Sequence, residues 1–131
     1  MPAFSDRSLA KLATCDPQLQ RLAHEVIRHV DCTVLEGHRK QAEQDAAYET
    51  GHSTKPWPHS KHNQIPSAAI DLAPYPLQWD DRERFCLFAG FVRGVALSMG
   101  IDLILGADWD GDFWTTDEQL SDLVHFELRQ P

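Results

Sequence analysis

Cysteine is sparse in this chain and stands in no pattern typical of cross-links or metal sites. The three cysteines, at positions 15, 32 and 86, are odd in number, widely spaced and without a CxxC pair. A disulfide framework needs paired cysteines, and cysteine-based zinc sites need closely spaced ones. We therefore predict three reduced cysteines in a protein made in a reducing compartment.

Long apolar runs are also missing. The most apolar segment, FCLFAGFVRGVALSMGI, is interrupted by Arg93, whereas a membrane-spanning helix needs about 20 apolar residues. The opening MPAFSDRSLAKLA lacks the basic and then apolar regions of a secretory signal. We expect a protein without a signal peptide and without membrane insertion.

Positive charge is scarce, above all in the second half of the chain. Twelve Lys and Arg stand against twenty Asp and Glu, which gives a net charge of −8. Residues 1–65 carry eight basic and eight acidic side chains, whereas residues 66–131 carry four and twelve. Nucleic acids and anionic membranes require a basic footprint, so neither is expected as the main partner. The acidic excess favours a bound cation instead.

The remaining composition is that of a globular domain. With 131 residues, 42% hydrophobic and 24% charged, the chain can bury a core and fits one domain, residues 1–131. Helical spacing and capping residues predict helices after Asp16-Pro17, over 39–50, and from Asp80 or Asp81 to Gly100. Short apolar runs predict strands at 33–35, 68–73, 101–109 and 123–128. We predict an α+β fold, with about three helices on a small, mainly antiparallel sheet.

Seven histidines suggest a metal site, but two segments that contain histidine do not match the known zinc motifs that they resemble. His24-Glu25 begins like HExxH, yet the next histidine, His29, lies about 500° of helix rotation away. His125-Phe126-Glu127 resembles the HxE of zinc deaminases, but no PCxxC accompanies it. We therefore assign neither segment to an HExxH zinc site or to a zinc deaminase site.

An acidic loop at 108–118 begins like a calcium-binding loop. Asp108, Asp110 and Asp112 have the right spacing, but the pattern then needs glycine and glutamate where this chain has phenylalanine and glutamine. We interpret the segment as a solvated acidic loop, with a weak cation site as the alternative.

A dispersed set of residues remains that could bind zinc. His62 lies in a long loop, Asp71 in the predicted strand after it, and His125 near the C-terminus. Zinc hydrolases use three histidine or carboxylate ligands and leave a fourth position for water. They also need a carboxylate that takes a proton from that water, and Asp122 stands three residues before His125. From the residues alone, three unrelated polar side chains are an equal alternative.

Several segments, in order, resemble one group of enzymes. They are FSDRSLAKLATCDPQLQRLAHEVI, TVLEGHRKQAEQ, SKHN followed by PSAAIDLAPYP, GADWDGDF and DLVHFEL. Together they resemble the VanY and D-Ala-D-Ala carboxypeptidase clan of metallopeptidases. The likeness is greatest to phage endolysins that cut the L-alanyl-D-glutamate bond of peptidoglycan stems. The resemblance covers residues 4–128 and implies the small α+β Hedgehog/D-Ala-D-Ala peptidase fold.

The resemblance also implies roles for individual residues. The zinc ligands fall on His62, Asp71 and His125, the water-activating acidic residue on Asp122, the carbonyl-binding arginine on Arg39, and the substrate-binding serine of the SxH motif on Ser60. The chain departs from the family spacing S-x-H-x-x-G-x-A-x-D, because SKHNQIPSAAID is two residues longer and lacks the glycine.

Some side chains near these motifs have less specific interpretations. Asp108 either holds a ligating imidazole through its second ring nitrogen or caps the acidic loop. The four tryptophans, Trp57, Trp79, Trp109 and Trp114, are assigned to core or rim packing rather than to a sugar-binding platform. Trp109 and Trp114 flank the expected cleft and are the candidates for the platform alternative.

The resemblance implies a zinc-dependent peptidoglycan peptidase that cuts the L-Ala-D-Glu bond during phage lysis. We expect a monomer made in the host cytoplasm and released to the wall by a holin, without a separate wall-binding domain. One alternative is a D-Ala-D-Ala carboxypeptidase or dipeptidase with the same metal site. The other is a catalytically silent, zinc-stabilised binding module. Asp122 and Arg39 count against silence, because a structural zinc site needs neither.

Overall fold

In a computed structural model, which describes residues 2–114 and 122–130, four α-helices accompany a four-stranded antiparallel sheet. This confirms the predicted α+β class. The elements in chain order are α1 (Asp6–Leu12), α2 (Pro17–Ile27), β1 (Cys32–Glu36), α3 (Gln41–Glu49), a 3-10 turn (Lys61–Asn63), β2 (Ala69–Pro74), α4 (Arg82–Ser98), β3 (Leu103–Leu105) and β4 (His125–Leu128).

Capping residues set the starts of the longer helices, as the sequence predicts. The Asp16 carboxylate accepts a hydrogen bond from the Gln18 backbone N–H at the start of α2, and Asp81 does the same for Arg84 in α4. Each helix buries one apolar face against the sheet. None of the described helices is long and apolar enough to cross a membrane.

The first helix is the one that the sequence does not predict, so the described helices number four rather than three. α1 has seven residues, of which Ser8 and Leu12 are buried, and the Ser5 hydroxyl caps it by accepting from the Ser8 backbone N–H. A helix this short shows no repeated apolar stripe. Its position is set by contacts with β1, where the Ser8 hydroxyl accepts from the Val34 backbone N–H at 3.1 Å.

The sheet has the strand order β1-β2-β4-β3, and all its described pairs are antiparallel. β2 and β4 lie at its centre, with Asp71 directly opposite His125. β3 is shorter than predicted, because the chain turns at Gly106 instead of continuing the strand to position 109.

The two faces of the central strands differ in chemistry. Side chains of successive strand residues point to opposite faces, so Ile70 and Leu72 of β2 and Phe126 of β4 enter the hydrophobic core with α2 and α4. Asp71, His125 and Glu127 alternate with them and occupy the other face. The core thus holds the polar residues in register on a rigid support.

The tryptophans lie at the rim and not in the core. Trp79, Trp109 and Trp114 are exposed and Trp57 is half-buried. Trp79 stacks on Phe85 with ring centroids 5.3 Å apart. None of the four is fully buried, so within the core or rim packing that the sequence predicts, these tryptophans belong to the rim.

Candidate metal centre and catalytic cleft

Three side chains with metal-binding atoms meet on the polar face of the sheet. His62 comes from the 3-10 turn, Asp71 from β2 and His125 from β4. His62 Nε2 lies 3.2 Å from Asp71 Oδ1 and 3.2 Å from His125 Nδ1. His125 Nδ1 and Asp71 Oδ1 are 3.3 Å apart. The structure therefore brings together all three residues that the sequence proposes as zinc ligands.

The spacing and chemistry of these donors fit zinc. Bonds of about 2.0–2.1 Å in a tetrahedral site place the ligand atoms about 3.3 Å from one another. The three observed separations of 3.2, 3.2 and 3.3 Å form such a triangular face. Two imidazoles and one carboxylate are a zinc donor set, and three protein ligands leave a fourth position open.

A backbone carbonyl orients His62. The ring donates from Nδ1 to the Gly37 carbonyl oxygen at 2.8 Å, which leaves Nε2 free to face Asp71 and His125. Gly37 can come this close only without a side chain, because an added Cβ would overlap the Thr14 hydroxyl and the Lys11 carbonyl oxygen. The glycine that ends the predicted first strand therefore helps to set the tautomer of a ligand.

A carboxylate orients His125 in the same way. The ring donates from Nε2 to Glu127 Oε1 at 2.8 Å, so Nδ1 faces His62 and Asp71. The Lys61 ammonium in turn lies 2.8 Å from Glu127 Oε2 and donates to the Leu128 carbonyl. Burial opposes charge on Glu127, but its bonds with His125 and Lys61 hold the pKa of the carboxyl at about 2.

The pKa values of Asp71 and His125 are shifted by the groups that surround them. Burial favours a neutral His125, yet Asp71 and Glu127 on its two nitrogens raise its pKa to about 9. Burial also opposes the charge of Asp71, but the His125 and His62 imidazoles hold the pKa of Asp71 well below its usual range. The cluster therefore places a carboxylate among groups that favour its negative form.

Asp122 lies beside the ligands and is held by the backbone. Its N–H donates to the Gly106 carbonyl at 2.9 Å, and its own carbonyl accepts from His125 at 3.2 Å. An added Cβ on Gly106 would overlap the Asp122 carbonyl oxygen, so this approach requires glycine. Burial, together with the negative charge of Asp71, raises the pKa of the Asp122 carboxyl.

Arg39 is held at the cleft by a buried polar network. Its guanidinium donates from Nη1 to Gln44 Oε1 at 2.9 Å and lies 3.6 Å from Glu36. Gln44, fully buried in α3, also accepts from the Asn63 amide at 3.1 Å. The Arg39 backbone N–H donates to the His62 carbonyl at 2.8 Å, which ties the arginine to the turn that carries a ligand.

Ser60 supports the same turn. Its hydroxyl accepts from the His62 backbone N–H at 3.2 Å and caps the 3-10 turn. This bond gives the serine a structural role in presenting His62, beside the substrate contact that the resemblance implies.

A cleft of about 320 Å³ opens over His62 and His125. Trp109 forms part of its wall, with its ring centroid 5.4 Å from that of His125. The lining residues are Arg39, Gly51, His52, Ser53, Thr54, Lys55, Ser60, Lys61, His62, Trp109, Asp122, His125 and Glu127. Arg39, Ser60 and Asp122 therefore border the same space as His62 and His125.

Asp108 does not take the imidazole-holding role. Its Oδ2 accepts from the Phe113 backbone N–H at 2.9 Å and lies 3.6 Å from an Arg93 nitrogen. The alternative, a residue that caps the acidic loop, is the correct one. Oxygen atoms of Asp108, Asp110 and Asp112 lie within 4.8 Å of one another. Positions 115–118 of the acidic loop lie outside the described residues.

Comparison with known proteins decides the family. The model of the phage L-alanyl-D-glutamate peptidase family matches residues 2–129. The chain belongs to this family. Among solved structures, the chain is similar to the Serratia marcescens L-Ala D-Glu endopeptidase ChiX, with 26% identity, a TM-score of 0.76, and coverage of 97% of this chain and 90% of that one. No curated protein sequence matches it.

Family membership confirms the predicted peptidase class, the peptidoglycan substrate class and the fold. The sequence interpretation missed several contacts in the site. They are the bonds of Glu127 with His125 and Lys61 and the bond of Gln44 with Arg39. The HxE motif was the available signal for Glu127, since residues two apart share a face of a strand. Nothing local in the sequence indicates that Gln44 reaches Arg39 and Asn63.

Proposed function

We propose that this chain is a zinc-dependent peptidase that hydrolyses the L-Ala-D-Glu bond of peptidoglycan stem peptides. The observation that carries the proposal is the triangle of His62, Asp71 and His125 donors at zinc-ligand spacing. A cleft borders this triangle and also contains Asp122 and Arg39.

In this proposal His62, Asp71 and His125 hold the ion. Zinc supplies Lewis acidity that makes a water molecule nucleophilic near neutral pH. Gly37 and Glu127 hold the two imidazoles in the required tautomers. Glu127 also adds negative charge behind His125, which strengthens the ring as a ligand.

Asp122 is the general base and acid. Its carboxylate accepts a proton from the attacking water and donates it to the nitrogen of the departing D-Glu. The partial burial that raises its pKa favours proton uptake. Asp122 lies beside the three proposed ligands but is not one of them. In this proposal it therefore transfers protons and does not bind the metal.

Arg39 stabilises the oxygen of the scissile carbonyl as negative charge develops on it. A guanidinium stays protonated and presents several donors in a fixed plane. Gln44 and Glu36 use only part of this donor set, so Arg39 retains donors for substrate. Ser60 borders the same cleft and contacts the substrate beside the turn that it caps.

The biological setting follows from a phage enzyme directed at the bacterial wall. We propose that the chain acts as a monomer on the stem peptide, after synthesis in the host cytoplasm and release by a holin. The alternative of a D-Ala-D-Ala carboxypeptidase uses the same ligands and differs in the bond that is cut. The alternative of a catalytically silent binding module does not explain why Asp122 and Arg39 lie in the cleft.

Digestion of purified sacculi with the zinc-loaded protein tests the proposal. Mass spectrometry should find new N-terminal D-Glu on released peptides and glycan strands that still carry L-Ala. Release of free D-Ala would instead support the carboxypeptidase alternative, and release of neither product would support the silent module. An Asp122→Asn sample processed in parallel controls for contaminating hydrolases.

A further inference from the structure

The proposed substrate carries a charge that the assigned residues do not neutralise. Glutamate has two carboxyl groups, and within a stem peptide only one of them continues the chain. The other remains on the residue directly after the scissile bond, as a carboxylate or, when amidated, as a neutral carboxamide. A peptidase that prefers the acid form needs a cation near this position.

Among the described residues, three lysines or arginines line the cleft, and the charged groups of two of them already have partners. Lys61 is engaged by the Glu127 carboxylate and the Leu128 carbonyl. Arg39 contacts Gln44 and Glu36 and has the scissile carbonyl as its proposed ligand. Lys55 also lines the cleft, and its ammonium has no hydrogen-bond or ion-pair partner among the described residues.

The backbone of Lys55 is fixed although its side chain is exposed. Its carbonyl accepts from Gln44 Nε2 at 2.6 Å, and its N–H donates to the Ser53 hydroxyl at 3.2 Å. The same Gln44 side chain accepts from Arg39 on its oxygen. One buried amide thus sets the position of Lys55 relative to the arginine at the proposed reaction centre.

Resting on the proposed function, we propose that Lys55 is a specificity-determining residue that binds the free carboxylate of the D-Glu residue. A lysine ammonium on its four-carbon stem can adjust to a carboxylate that arrives with the substrate. Because the backbone of Lys55 is fixed, its ammonium can reach only a limited region. The nearby His52 is less suited, because its ring already bonds the Thr50 hydroxyl at 2.7 Å.

The test uses two stem peptides that differ only in this group, one with the free carboxylate and one with the carboxamide. We expect the parent enzyme to cleave the acid with a kcat/KM about tenfold higher, the value of one partly exposed charge-assisted contact. Lys55→Met should lower kcat/KM for the carboxylate peptide to nearly the value for the carboxamide peptide, so that the ratio of the two values approaches one. Lys55→Arg should keep the preference, and high salt should weaken it.

Arg21→Gln is the matched control. It removes the same charge from an exposed position on α2 that does not line the cleft, so the preference should persist. Equal cleavage of both peptides by the parent enzyme would overturn the inference. An equal loss on both peptides in Lys55→Met would also overturn it. Cleavage of neither peptide by the zinc-loaded parent would refute the proposed function itself.

Discussion

His125 and Glu127 stand two residues apart on β4, and the imidazole Nε2 donates a 2.8 Å hydrogen bond to the Glu127 carboxylate. Because the residue between them, Phe126, is completely buried, the core fixes both side chains on the opposite face. The pair leaves His125 Nδ1 directed at Asp71 and His62. A core residue and a carboxylate therefore cooperate to orient one metal-binding atom.

Glu127→Gln should weaken zinc binding by roughly 10- to 100-fold, the usual effect of removing such a supporting group. The amide can still accept from His125, but it carries no charge and no longer pairs with Lys61. A competition titration with a chromophoric chelator measures the affinity. Glu49→Gln, an exposed change at the end of α3, is the control and should bind zinc like the parent. Equal affinities for the two variants would contradict the role of Glu127.

Asp122→Asn should retain zinc but lose about 10²–10⁴-fold in kcat, the range for general acid-base groups. Asparagine keeps the size of the side chain and removes the basic carboxylate. Zinc content and muropeptide release should be measured on the same preparation. Turnover near that of the parent would remove Asp122 from the mechanism, and loss of zinc would make it a ligand.

Removal of zinc by a chelator should abolish peptide release and lower Tm, and added zinc should restore both. At the proposed site the ion would join the 3-10 turn to β2 and β4, and it would stabilise the folded state by about 2.7 kcal/mol when its concentration is 100 times Kd. His125→Ala removes one ligand, so its Tm should no longer rise with zinc. Calorimetry with and without the ion checks this. A full stoichiometric zinc content in His125→Ala would refute the ligand assignment.

Gly106→Ala should reduce stability by roughly 1–3 kcal/mol, the cost of forcing extra volume into a packed site. The added methyl would displace the Asp122 backbone, whose N–H bonds the Gly106 carbonyl, so activity should fall as well. Gly94→Ala in α4 has open space around it and should stabilise the protein by about 0.5–1 kcal/mol. Denaturant unfolding of both variants measures the contrast. Similar unfolding midpoints for the two would show that Asp122 does not depend on the glycine.

The sequence alone determined the fold class, and its resemblance to a peptidase family indicated the proposed ligands. Apolar spacing and the Asp16 and Asp81 caps located α2 and α4. Ordered motifs selected His62, Asp71 and His125 from the polar residues of the chain. The caps and the strand patterns are local features, since a cap or an alternating strand depends on residues only a few positions apart.

Only the tertiary structure decided which groups support that site. Gln44 bonds Arg39, Asn63 and the Lys55 carbonyl, contacts that span up to 19 positions. The Gly37 carbonyl has no side-chain signature at all, and Asp108 proved to serve the acidic loop instead. Such contacts depend on how turns bring distant segments together. A buried polar group takes whichever partner the packed chain places within hydrogen-bond distance.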